Sequence, residues 1–258
     1  MHPGGWILWA LCGGLVAIST TNPFFLIPVF ASAWIVHAAH KREGPMARSF
    51  RTFALFGLLT IGTRTALVLL GPVTRGSVVA ALLEGTRLAV LLTVFGTFNS
   101  VADPYGVLRL SPRRFHEPAL AAALALSITP RTIAAAGRVR EAQRLRGIEV
   151  RRWRSLPALA VPVLESGMEE AVTLAESMDA RGHGYGPRSR YRRERWGVVS
   201  LVTATAALSA AVVFIGRLVV HDPSLAMSTF PLTWPAADAL GVGAAFLLAV
   251  PAFLKASE

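Results

Sequence analysis

The chain has 258 residues, 53% of them hydrophobic, with a mean hydropathy of +0.51 and a net charge of +11. Only Lys41 and Lys255 are lysines, and neither sits in a G-x-x-x-x-G-K-[ST] pattern, so the chain has no phosphate-binding loop of its own. The single cysteine, Cys12, excludes an intrachain disulfide and a cysteine-based zinc cluster.

Apolar runs and basic loops alternate along the chain. The N-terminus, MHPGGWILWALCGG, lacks a basic leader segment and reads as the start of a retained helix. The first apolar run covers residues 6–20, the turn TTNP follows at 20–23, and the second run covers 24–39. Both are short against the ~20 residues of a membrane-crossing helix. A basic loop carries Lys41, Arg42, Arg48 and Arg51. The third run, 52–70, stops at Gly71-Pro72, and the fourth covers 78–98.

The character then changes. Residues 99–195 hold 17 arginines and 10 acidic residues. Within them ALAAALALSI, residues 119–128, is apolar but too short to span comfortably, and its composition fits both a bilayer-entering and an interfacial segment. Two more runs follow, 196–220 and 237–254, separated by a loop without lysine or arginine. Cytoplasmic loops collect lysine and arginine, and six spans with both termini in the cytoplasm put every basic loop on one side. The expected fold is therefore an all-α polytopic membrane protein of about six transmembrane helices. Its regions are an N-terminal four-helix part (1–98), a cytoplasmic or interfacial helical part (99–195) and a C-terminal membrane part (196–258). The excess charge then belongs to loops beside anionic headgroups and implies no nucleic-acid partner.

Two amphipathic helices are expected in the basic segment. In RTIAAAGRVREAQRLRG, residues 131–147, Ile133, Ala136, Val139, Ala142 and Leu145 form an apolar stripe. Glu141 can meet Arg144 beside it. In PVLESGMEEAVTLAESMDARG, residues 162–182, the stripe is Leu164, Met168, Ala171, Ala175 and Met178, opposite Glu165, Glu169, Glu176 and Asp179. Both end in E-x-x-x-x-R-G, at 141–147 and 176–182. Arginine in a last turn followed by glycine is ordinary helix-end chemistry. Two copies in one segment point further, to arginine-tipped helices that dock in acidic grooves of a partner, because guanidinium makes forked bonds to carboxylates.

The order of these features resembles the transmembrane T component of energy-coupling factor transporters, the EcfT/CbiQ family. The likeness rests on S-T-T-N-P at 19–23, Asp103-Pro104, SITPRTIAAAGRVREAQRLRGIEV and LPALAVPVLESGMEEAVTLAESMDARGHGYG. MHPGGW stands where the family more commonly has D-P-R-x-K. The resemblance implies a non-enzymatic scaffold with no cofactor. Its implied partners are two cytoplasmic ABC-type ATPases and a separate substrate-binding membrane S component for a vitamin or metal ion. It carries the ATPase-binding role to Leu145, Arg146 and Gly147 and to Ala180, Arg181 and Gly182.

Other charged residues lie in or near the apolar runs: Arg64, Glu84, Arg87 and Arg217. Glu84 and Arg87, three apart, are expected to pair inside the bundle or to touch the S component, and Arg217 to snorkel. His37 and His40 read as interfacial rather than metal-binding. His183 and Tyr185 shape the turn after the second Arg-Gly. The tail PRSRYRRERW, 187–196, reads as a headgroup anchor. A self-sufficient channel or carrier needs polar residues recurring along several spans, and a membrane-embedded enzyme needs a catalytic group at one depth. The runs offer few polar residues for either.

Overall fold

A computed structural model describes residues 2–40, 45–71, 73–147, 156–186, 195–229 and 234–254. The loop 41–44, the part of the basic tail at 187–194 and Lys255 lie outside the described residues. The described residues form α-helices and short 3-10 turns, with no strand among them. The helices are α1 (Pro3–Ser19), α2 (Pro23–Ala39), α3 (Pro45–Val68), α4 (Arg75–Val101), α5 (Pro104–Arg109), α6 (His116–Leu145), α7 (Leu156–Ala180), α8 (Val198–Val219), α9 (Ala239–Phe246) and α10 (Val250–Phe253).

Helix starts follow local chemistry. Asn22 caps α2 by accepting the Phe24 N–H, and Asp103 caps α5 by accepting from Tyr105 and Gly106, each with proline at the first helical position. Thr74 and Ser77 form a reciprocal capping box at α4. The C-terminal run is a broken helix: α9, a 3-10 turn at Leu247–Ala249, then α10 with Pro251 in its first turn. Proline has no N–H to continue the ladder. The Leu248 carbonyl on that turn accepts the Trp9 indole N–H at 2.8 Å.

Three helices are long and apolar enough to cross a membrane by length and composition: α4, α6 and α8. Shorter apolar helices cover Pro3–Ser19, Pro23–Ala39 and Ala239–Phe253. This set differs from the expected six spans in two places. α3 falls out because Arg48, Arg51, Arg64 and its serine and threonine residues dilute its apolar run. α6 enters because residues 119–128 and the amphipathic stretch after Pro130 form one 30-residue helix. Pro130 sits inside the helix. Ser127, Thr129 and Thr132 donate to the Leu124, Ala125 and Ile128 carbonyls, all in the turns before it.

The contacts divide the chain into two units, residues 1–110 with 194–258, and residues 111–193. In the first unit the core is Trp9, Val16, Phe25, Leu26, Val29, Val90, Val94, Phe214 and Leu248, all nearly inaccessible. Glycines bring the helices to backbone contact: a Cβ on Gly85 would lie 2.9 Å from the Ile61 Cα, and one on Gly96 2.7 Å from the Phe53 Cβ. Small residues let helix backbones approach where lipid gives no hydrophobic drive between helices. α1 packs on the other flank of α4, with Gly13 against Val94 and Gly14 against Phe95. In the second unit α6 and α7 pack together and Arg131 meets Glu170 at 2.8 Å. No residue of α6 is buried.

Candidate functional site

The two E-x-x-x-x-R-G segments end their helices in the same geometry. Arg146 is the last half-helical residue of α6, and Gly147 turns left-handed at φ +78°. Arg181 follows α7 directly, and Gly182 turns at φ +76°. The Gly147 N–H reaches the Arg144 carbonyl at 3.0 Å, and the Gly182 N–H reaches Asp179 at 2.8 Å. After α7 the His183 N–H also closes back to Met178 at 3.0 Å, which completes the paired bonds of a glycine-terminated helix. Only glycine takes the left-handed turn without strain.

Leu145, Arg146, Gly147, Ala180, Arg181 and Gly182 are all exposed, Leu145 to 85%. The acidic residue five positions earlier is no partner in either case. Five residues turn about 140° round a helix, which carries Glu141 and Glu176 away from the arginines. Among the described residues neither Arg146 nor Arg181 has an ion pair, and Glu141 does not reach Arg144. The site is two cationic helix tips whose guanidinium groups have no ion pair among the described residues. The apolar stripes behind them are only partly covered: Ile133, Leu164 and Met168 are 68%, 64% and 69% exposed. His183 and Tyr185 are exposed on the turn after Arg181.

A second polar centre stands in the first unit. The turn at 20–23 is tied to the loop after α8. The Thr20 hydroxyl and the Thr21 N–H both donate to the Leu225 carbonyl, at 2.7 Å and 3.0 Å. Asn22 is fully buried and donates to the Ser224 and Ala236 carbonyls at 2.8 Å and 2.9 Å. Below it Arg217 does not snorkel. Its guanidinium bonds Asp238, lies 3.8 Å from Asp222 and 3.3 Å from the Ser224 hydroxyl, and sits over the Phe25 ring. Its side chain is 13% exposed because two carboxylates from one loop enclose it. The Ser224 N–H, with Arg217 behind it, holds the Asp222 carboxyl below its usual range, and Arg217 does the same for Asp238. The sequence reading missed this network: the 20–23 turn lies about 200 residues from the 217–238 segment it bonds, and Asp238 lies 21 residues from Arg217.

Three curated proteins carry the same description, "Energy-coupling factor transporter transmembrane protein EcfT". The chain is 30% identical to that of Bacillus selenitireducens over 185 residues, covering 64% of this chain and 69% of the relative. The chain belongs to the EcfT family. It is also 25% identical to the Exiguobacterium sibiricum EcfT over 207 residues, 78% of this chain and 73% of the relative. To the Streptococcus thermophilus EcfT it is 29% identical over 105 residues, 38% and 40% of the two chains. No family model matches the chain.

As a member of the EcfT family the chain is a transmembrane component, so charges inside its apolar helices carry a cost of ~2.5–3.5 kcal/mol each at a helix centre unless partnered. The spacing predicts a Glu84–Arg87 pair. The structure instead joins Glu84 of α4 to Arg64 of α3 at 3.2 Å. Gly85 brings α3 close enough for that bond across the helices. Arg87 is half-buried and has no ion pair or hydrogen bond among the described residues. His37 lies 2.9 Å from the Ser100 hydroxyl and stacks on Phe50, and His40 meets the edge of Trp6. These are packing and hydrogen-bonding roles at helix ends. No group of three metal-ligating side chains occurs among the described residues.

Proposed function

We propose that this chain is the scaffold that couples two ATPases to a substrate-binding membrane partner. Arg146 and Arg181 enter acidic grooves on the two ATPases, and Leu145 and Ala180 pack beside them. The observation that carries this reading is the matching exposed end of α6 and α7: an arginine after the last turn, glycine at φ +78° and +76°, and no ion pair to either arginine among the described residues. The loops rich in arginine then face the cytoplasm, together with both termini. The exposed stripes of α6 and α7 are left for the membrane partner, the S component, which selects the vitamin or metal ion. Nothing in the chain can hydrolyse ATP through a phosphate-binding loop, so the energy comes from the bound ATPases. Nucleotide-driven movement of two helix tips shifts the rest of each helix as a lever, and Pro130 and Pro162 mark where each lever can bend.

The test is a pull-down of the tagged full chain from its native membranes. Arg146→Ala with Arg181→Ala leaves both glycine caps in place, so the protein still inserts and folds. Wild type is expected to bring down two ATPases and a small membrane protein, and the double variant to lose most of its ATPase. Undiminished ATPase capture by the double variant defeats the assignment of these arginines.

A further inference from the structure

The charged trio on the α3–α4 hairpin has no use in the coupling scheme above. Arg87 lies one residue from the midpoint of the 27-residue α4, and Glu84 lies within about a turn of it. Their level is the middle of a helix long and apolar enough to cross the membrane. The Arg64 and Glu84 side chains are nevertheless 47% and 53% exposed. On a water-facing surface such a pair is unremarkable. At this depth, exposed side chains face lipid or protein, and charged ones face protein.

The charges do not balance. The trio holds two guanidinium groups and one carboxylate; Arg64 takes that carboxylate, and Arg87 has no hydrogen-bond or ion-pair partner among the described residues. The flank beside the trio is open. Leu67, about one turn after Arg64 on α3, is 61% exposed.

We infer that this trio is a docking site for one transmembrane helix of the membrane partner, and that this helix carries an aspartate or glutamate at mid-membrane depth. The inference rests on the reading that such a partner exists. Charge complementarity selects an acidic helix: one carboxylate neutralises the trio and gives Arg87 the forked bond its geometry favours. A second copy of this chain does not fit. The carboxylate at the mouth of α9, Asp238, is already held by Arg217, and Glu84 is held by Arg64. Low dielectric strengthens a charge pair of this kind and penalises its loss.

The experiment compares complexes purified through a tag on the full chain from native membranes: wild type, Arg87→Leu and Arg87→Lys. Arg87→Leu is expected to keep the ATPases at the wild-type ratio and to lose the small membrane protein by about tenfold or more, with substantial recovery in Arg87→Lys. A photo-crosslinking residue in place of Leu67, in an otherwise wild-type chain, makes the test independent of how well Arg87→Leu folds. Its adduct should map to a partner helix with an acidic residue within a turn of the link, and neutralising that residue should reproduce the loss. Full partner occupancy in Arg87→Leu, adducts with lipid alone, or a linked helix without a carboxylate each overturn the docking site and leave the scaffold reading standing. A wild-type preparation with neither ATPase nor membrane protein overturns both.

Discussion

The two units of this chain handle their polar groups in opposite ways. In the first unit, Asn22, Thr20, Ser32 and Thr97 are buried, and each hydrogen-bonds to a carbonyl of another helix or loop. Glycines there press helix against helix. In the second unit the glycines within α6 and α7, Gly137 and Gly167, face open space, the threonine and serine hydroxyls return to their own helices, and no residue of α6 is buried. The first unit completes its own interior. The second presents surface. Buried polar groups left unpaired are costly, so a unit that satisfies them internally is held in one arrangement. A unit with open stripes is stabilised by whatever covers it.

The largest expected effect comes from exchanging these roles at glycine. Gly85→Val places a side chain 2.9 Å from the Ile61 backbone, which cannot turn aside. It should cost about 3 kcal/mol and lower the unfolding temperature of the purified protein in detergent. Gly167→Ala meets no neighbour and sits mid-helix in α7. It should leave that temperature unchanged or raise it slightly, since alanine favours a helix by about 0.5–1 kcal/mol over glycine. Equal destabilisation by both variants would remove the distinction between the units.

Asn22→Ala sharpens the same contrast on the polar side. It strips partners from the Ser224 and Ala236 carbonyls and removes the cap of α2. A loss of about 2 kcal/mol follows from the unsatisfied groups. Proteolysis of the 221–238 loop in membrane vesicles should accelerate in parallel, because this asparagine fastens that loop to the α1–α2 turn. An unchanged cleavage rate with a full loss of stability would place the effect in the cap alone.

What could be read from the sequence is what local chemistry decides. Gly147 and Gly182 announce their helix ends because a left-handed turn after arginine needs only its neighbours. Asn22-Pro23 and Asp103-Pro104 announce helix starts for the same reason. The family motif and the all-helical fold were therefore legible. The pairings were not. Glu84 has Arg87 one turn away in sequence, yet Arg64, 20 residues back, wins because Gly85 draws α3 in. Arg217 looked like a headgroup residue because Asp222 and Asp238 approach it only once the loop folds back. The apolar run 119–128 and the amphipathic stretch from 131 read as separate pieces, and only the structure joins them through Pro130 as a single α6.

The smallest expected effect is the acid response of the Arg217 centre. Asp222 and Asp238 both ionise more readily in the folded chain than in the unfolded one. A carboxyl lowered in this way contributes stability above its unfolded value, near 3.9, and loses that contribution as pH falls through the folded value. Arg217 stays charged throughout, so the carboxylates alone set the response. Wild type should therefore be more stable than Arg217→Met at pH 7, and the gap should narrow as the pH drops below about 4. Every other carboxylate titrates in both proteins and cancels in the difference, as does the part of the Asp222 shift that the Ser224 hydrogen bonds cause, so Asp238 dominates the gap. The comparison needs only unfolding temperatures in detergent across that range. A gap that stays constant into acid would assign Arg217 to packing on Phe25, at 5.8 Å from its ring centre, rather than to its two aspartates.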